Sequence, residues 1–156
     1  MKKVIFAAMI AAVAMFGLGG CATTAESYGK QKVVYHINYD NPKAQAGALR
    51  NINNHINAVG AKNLDVKVVL HGKGLSLLLD PTAKTKLPKG NGNQVMTASV
   101  STLKGKGVAF NVCANTMKGK KIELADLYDV DKKDIVPSGV AELSHLQQQG
   151  FTYIKP

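Results

Sequence analysis

Three side chains in this sequence carry chemistry that an ordinary core does not need. Cys113, in the run VAFNVCANTM, stands where a β-branched segment gives way to Ala114-Asn115-Thr116-Met117, the composition of a helix start. A helix N-terminus offers free N–H groups and partial positive charge, which favour thiolate over thiol. Such a thiolate is a competent nucleophile or sulfur carrier. His36, in KVVYHIN, and His71, heading His71-Gly72-Lys73-Gly74, add imidazoles able to donate a hydrogen bond or shuttle a proton. The N–H groups of the Gly-Lys-Gly turn suit an anion nest. Plainer readings stand beside these. Free cysteine is among the most buried residue types, and a histidine within an apolar strand serves as a hydrogen-bonded core residue.

Other constellations are weaker. HGKG is neither GxGxxG nor a Walker sequence, so nucleotide binding has little support. A His36/His71/Cys113 metal site is conceivable on ligand type, but the residues are dispersed without HxxxH spacing. A Cys-His hydrolase lacks a third orienting residue and a nucleophile-elbow sequence. The acids concentrate at residues 123 to 134 and read as a solvated loop. His55 and His145 fall on helical segments, as surface or flank residues.

The elements that must position Cys113 and the histidines alternate along the chain. KVVYHIN (32–38) and LDVKVVL (64–70) read as buried strands. Between them, Asp40-Asn41-Pro42 supplies a cap and a first-turn proline, Leu49, Ile52, Ile56 and Val59 follow at helical spacing, and Gly60 stops the helix. Leu75 to Leu79 reads as the start of a further helix, residues 80–92 as a long Pro/Gly loop, and 93–104 as a helix. VAFNV (108–112), IVP (135–137) and FTYI (151–154) complete the strands, and Ser138 caps a helix carrying Val140, Leu143 and Leu146. The alternation predicts an α/β fold: a three-layer α/β/α sandwich with a mostly parallel sheet of about five strands and crossovers on both faces. Ligands bind outside the carboxyl ends of such strands, where His36, Asp40, His71, Cys113 and Asn115 fall.

Composition and the N-terminus set the context. With 20 Lys+Arg against 10 Asp+Glu and 46% hydrophobic residues, the chain is basic and globular, neither disordered nor collagen-like. Two cysteines without CxxC or CxxCH exclude a disulfide scaffold, a zinc ribbon and covalent haem attachment. The lysines are scattered and the aromatics few, so nucleic acid is not an expected partner; a solvated basic surface would attract small anions or lipid headgroups. Residues 1–20 read as a signal peptide: Lys2 and Lys3 precede an apolar run from Val4 to Leu18, too short for the roughly 20 residues that span a bilayer. Leu18-Gly19-Gly20-Cys21 resembles the lipobox of bacterial lipoproteins, in which the cysteine is acylated. Residues 21–31 then form the lipidated Cys21 and a tether, and 32–156 the domain. Ala22 after the cysteine favours the outer membrane, facing the periplasm; the alternative is cleavage near Ala25 and a soluble periplasmic protein. Either way Cys113 is the mature chain's free thiol.

The segments VVYHINYDNP, VVLHGKGLSLLL, VAFNVCANTM and IVPSGVAELSHLQQQGFTYIKP resemble, in order, the DsrE/DsrF-like family of small sulfur-relay proteins, with Cys113 where the family's sulfur-carrying cysteine would lie. The resemblance implies an α/β/α fold, homo-oligomers, a cysteine persulfide as the carried species, and no cofactor. It also implies that His36, Gly72, Asn115 and Thr116 line the site around Cys113, and the sequence adds Asp40 from the same class of loop. With an export signal, the sulfur source would be a periplasmic anion such as thiosulfate, polysulfide or sulfide, and the accepting protein is undefined. The expectation is a sulfur carrier or sulfurtransferase-like protein acting through Cys113. The alternatives are an oligomeric binding or scaffold lipoprotein with a structural Cys113, and a His/Cys metal-binding protein.

Overall fold

The structure, a computed structural model, describes residues 28–156, so the signal peptide, the acylation of Cys21 and most of the tether lie outside the described residues. Five apolar segments become strands: β1 (Gln31–Ile37), β2 (Leu64–Leu70), β3 (Ala109–Cys113), β4 (Ile135–Val136) and β5 (Thr152–Ile154). They form one all-parallel sheet in the order β4-β3-β2-β1-β5. Parallel neighbours need crossovers, and helices provide them: α1 (Pro42–Val59), α2 (Gln94–Gly105), α3 (Ala114–Lys120) and α4 (Gly139–Gln148). Asn41 caps α1 through its side chain on the Ala44 N–H, with Pro42 at the first position and Gly60 ending it.

The period-2 alternation of each strand divides the apolar residues between two faces. Val33, Tyr35, Ile37, Val66, Val68, Leu70, Phe110 and Val112 pack with Leu49, Ile52 and Ile56 of α1 and Met96, Val100 and Leu103 of α2. Met117 of α3 packs on this same core. Each large side chain buried there contributes about 1.5–3 kcal/mol. On the opposite face Val34 and Val69 meet Leu143 and Leu146 of α4 and Phe151. The sandwich therefore has three layers, but they are unequal, because β4 to β5 is the connection that crosses back over the second face. Of the three apolar residues that α4 carries, Leu143 and Leu146 are buried, whereas Val140 is 64% exposed, one position after buried Gly139.

Two local expectations are corrected. Leu75 to Leu79 does not open an α-helix: Gly72–Leu77 is a 3₁₀ stretch ending at Leu78. Leu75, Leu77, Leu78 and Leu79 are all buried, a demand that a one-sided helix cannot meet, and Leu79 goes on to bridge Leu127. Gly74 is required there, since a Cβ would lie 1.9 Å from the Ile37 carbonyl oxygen. The acidic stretch at 123–134 is not simply a solvated loop. It forms two short 3₁₀ turns closed by reciprocal Glu123/Asp126 and Asp131/Asp134 caps, with Lys104 paired to Asp129 and Asp134. The 80–92 segment is a loop as expected. It is pinned by buried Asn91, whose amide donates to Gln45 Oε1 at 2.9 Å and to the Asp40 carbonyl at 2.8 Å. Gln45, fully buried, donates in turn to the Tyr39 carbonyl and Ser76 Oγ.

Candidate functional site

The strand register aligns the chemistry in one row. Leu70 pairs with Val112, so one step further His71 stands beside Cys113 on the neighbouring strand line. The β1–β2 ladder continues to that point through the His71 N–H and the Ile37 carbonyl, 3.4 Å apart. His36 pairs with Val69, and Tyr153 of β5 pairs with Val34. Alternation places Asn111 and Cys113, Val69 and His71, Val34 and His36, and Tyr153 on the α4 face. Across four strands the carboxyl edge therefore carries Cys113, His71, His36 and Tyr153 in succession.

Cys113 ends β3 and occupies the cap position of α3. It is 4% exposed, and burial alone would push its thiol up. Against that, the Thr116 hydroxyl and the backbone N–H groups of Gly139, Thr116 and Asn115 lie around the sulfur and favour its anion, so the net effect is a thiol below its ordinary value. Two helix starts, α3 and α4, thus converge on one sulfur. Thr116 is itself fixed, because its hydroxyl oxygen accepts the Gly72 N–H at 2.9 Å. Gly72 adopts φ +55°, which suits a residue without a Cβ.

His36 and His71 stack with centroids 4.6 Å apart and meet Nε2 to Nε2 at 2.6 Å. His36 Nδ1 shares a hydrogen bond with the Tyr153 hydroxyl at 2.7 Å. His36 is only 7% exposed, and burial, then the neighbouring His71 and Lys155, hold its imidazole down at about 4. Burial and Lys155 lower His71 as well. Both shifts favour the neutral rings, and the two Nε2 atoms, 2.6 Å apart, form a hydrogen bond whose donor is set by the tautomers. The plain reading of His36 as a hydrogen-bonded buried histidine and the functional one describe the same contact.

The other expected residues divide. Gly72, Asn115 and Thr116 gather at Cys113, Asn115 through its backbone N–H. Asp40 forms no hydrogen bond or ion pair with Cys113 or the histidines. Its carboxylate pairs with Lys73 at 3.4 Å, and its carbonyl accepts from Asn91. The Gly72-Lys73-Gly74 turn is not an open anion nest, for the Gly72 N–H is given to Thr116 and the Gly74 N–H to the His71 carbonyl at 3.0 Å. Among the described residues no three His, Cys, Asp or Glu side chains group so as to hold a metal ion. His55 lies on α1, its ring bonded to the Tyr35 hydroxyl and to Gln31 Oε1.

Sequence reasoning missed Gly139, Tyr153 and Lys155. Gly139 is squeezed between the two halves of the site: its N–H reaches Cys113, and a Cβ on it would lie 2.7 Å from His71 Cβ. Tyr153 sits 117 residues from His36. The signal that could have found it is strand order, since β5 beside β1 puts Tyr153 on the face and at the edge where His36 lies. A cavity of about 350 Å³ between α1 and α2, lined by Arg50, Asn53 and Asn54 among others, is on the opposite face from Cys113.

The profile of the DsrE/DsrF-like family matches residues 31–156. Among solved structures, one described as a protein of unknown function, MTH1491 from Methanobacterium thermoautotrophicum, superposes with a TM-score of 0.66 at 26% identity, covering 81% of this chain and 100% of that one. The ychN protein from E. coli superposes with a TM-score of 0.56 at 15% identity, covering 82% of this chain and 99% of that one, a likeness of fold. No curated protein matches the sequence.

Proposed function

The chain belongs to the DsrE/DsrF-like family, and on that premise we propose that it accepts and passes sulfane sulfur on Cys113, as a persulfide carrier or sulfurtransferase-like protein. Family membership suggests sulfur relay in general terms. What supports the specific reading is the position of Cys113 at the junction of β3 and α3, beside His71 in register, with N–H and O–H groups from the starts of α3 and α4 around its sulfur that lower the thiol. An inert structural cysteine has no use for donors that stabilise its anion, and this favours the carrier over the scaffold reading. In the loading step the thiolate forms a bond to the outer sulfur of thiosulfate, the bond from that sulfur to the sulfonate breaks, and its electron pair leaves with sulfite. The same donors then stabilise the terminal charge of the Cys113 persulfide. No external oxidant is needed, because the sulfane sulfur is already at the required oxidation level.

The cellular setting is part of the same proposal. The basic start, apolar run and Cys21 support an exported protein, acylated at Cys21 and facing the periplasm. Radiolabelled palmitate that enters the wild type and not Cys21→Ala would support it, and equal labelling would overturn it. The scattered lysines favour small sulfur anions over nucleic acid. Homo-oligomerisation is included, and light scattering of the purified chain tests it.

The deciding experiment is intact mass of the purified full-length protein after anaerobic incubation with thiosulfate or polysulfide. The expected result is a gain of whole sulfur atoms, absent in Cys113→Ser and reversed by a reductant. No gain in the wild type would discard the carrier reading.

A further inference from the structure

We propose that Tyr153, His36 and His71 form a proton wire that links solvent at β5 to the sulfur chemistry at Cys113. The inference rests on the carrier reading for its purpose, but the wire itself is a geometric claim. Its links are the 2.7 Å bond between the Tyr153 hydroxyl and His36 Nδ1 and the 2.6 Å contact between the two Nε2 atoms. Tyr153 is 40% exposed, so the outer end is wet, while His36 is enclosed. At the inner end no group among the described residues bonds His71 Nδ1, and no buried side-chain nitrogen or oxygen among them is left unpaired, so Nδ1 is accessible. His71 stands beside Cys113 in register, and Gly139 lies against His71 with its N–H on the Cys113 side.

Two arrangements of the same protons satisfy every bond. In the first, Tyr153 O–H donates to His36 Nδ1, His36 Nε2–H donates to His71 Nε2, and His71 Nδ1 carries a proton outward. In the second, His71 Nε2–H donates to His36 Nε2, His36 Nδ1–H donates to the Tyr153 oxygen, the hydroxyl proton points to solvent, and His71 Nδ1 is bare. Passage from first to second delivers one proton from His71 Nδ1 and takes one up at Tyr153, without forming an imidazolium. That is what two neutral rings in contact can do and a single charged histidine cannot. In loading, the delivered proton meets the leaving sulfite or sulfide. In the reverse sense, bare Nδ1 takes the proton of a Cys113 thiol before attack. Tyr153 and His36 act through His71, and they are positioning residues.

The test uses full-length protein and Tyr153→Phe, which keeps the ring and removes the hydroxyl. Imidazole ¹⁵N NMR should show His36 and His71 each neutral, and Tyr153→Phe should shift the Nδ1–H to Nε2–H ratio of His71, two links away. Rapid-quench mass measurement of sulfur loading should show Tyr153→Phe slower by about tenfold or more, within what positioned proton transfer contributes. Unmoved His71 signals, or a variant that loads at the wild-type rate, would overturn the wire and leave the carrier intact. A wild type that gains no sulfur would discard the carrier, and the wire would then stand or fall on the NMR result.

Discussion

Gly139 lies so close to His71 that a Cβ placed on it would fall 2.7 Å from His71 Cβ, and 3.2 Å from two ring atoms. The same residue gives its N–H to Cys113. Gly139→Ala must therefore push either the imidazole or the first turn of α4. The expected cost is about 1–3 kcal/mol, the range for overpacking a filled site. The Cys113 thiol should also move up as a donor is lost. Urea unfolding together with the pH dependence of alkylation measures both, and a variant unchanged in both would refute the close fit.

Thr116 serves two neighbours, donating to Cys113 and accepting from the Gly72 N–H. Thr116→Val keeps the shape and removes both bonds. The thiol should rise toward its ordinary value, read as a rightward shift of the iodoacetamide rate profile, and stability should fall by about 1–3 kcal/mol for the orphaned N–H. Thr116→Ser should preserve both. A profile identical in the valine and wild-type proteins would remove Thr116 from the site.

His36 dictates an acid limb of stability. Folding holds it at about 4 against an ordinary value of 6.5. Between those values the unfolded chain binds a proton that the folded chain refuses, so stability falls as pH drops from 6.5 toward 4 and is unaffected by this group above that window. His71 and His55 are lowered too and act in the same sense. Denaturation midpoints from pH 7.5 to 4.5 should decline, with a shallower decline in His36→Gln. Parallel curves for the two proteins would show that another group sets the limb.

Gln45 offers a control remote from the chemistry. Gln45→Leu removes the donor to the Tyr39 carbonyl and Ser76 Oγ and an acceptor of Asn91, and should cost about 2–3 kcal/mol. Rate of sulfur loading per folded molecule should not change. A stability loss below 0.5 kcal/mol, measured by urea, would mean that the polar cluster contributes less than its burial implies.

The strands were legible because their residues repeat with period two and are β-branched: LDVKVVL begins and ends where β2 does. Helix ends were legible where a cap and a stop residue coincide, as at Asn41-Pro42 and Gly60. Leu75 to Leu79 was misread because a run of leucines does not distinguish an amphipathic helix from a segment buried on every side. In the site, Cys113 and Thr116 were readable because a strand-to-helix junction is local. The His36–Tyr153 contact and the approach of Gly139 to Cys113 were not, since both depend on which strands are neighbours and where a returning helix lands. Asp40 was assigned by loop class alone, and an ion pair with Lys73 claims it instead.

Joining His36 to Tyr153 closes a loop of 117 residues, and β5 is held in the sheet by β1. β1, α1 and β2 can assemble from adjacent sequence, whereas the β1–β5 pairing is the most non-local in the sheet. Closure entropy grows only slowly with loop length, yet distant pairings are the slow ones to form. During refolding the thiol can acquire its donors on α3, a few residues away, long before His36 finds its hydroxyl. The two ends of the site thus mature on different clocks, and the His36–Tyr153 bond reports the completion of the sheet as a whole.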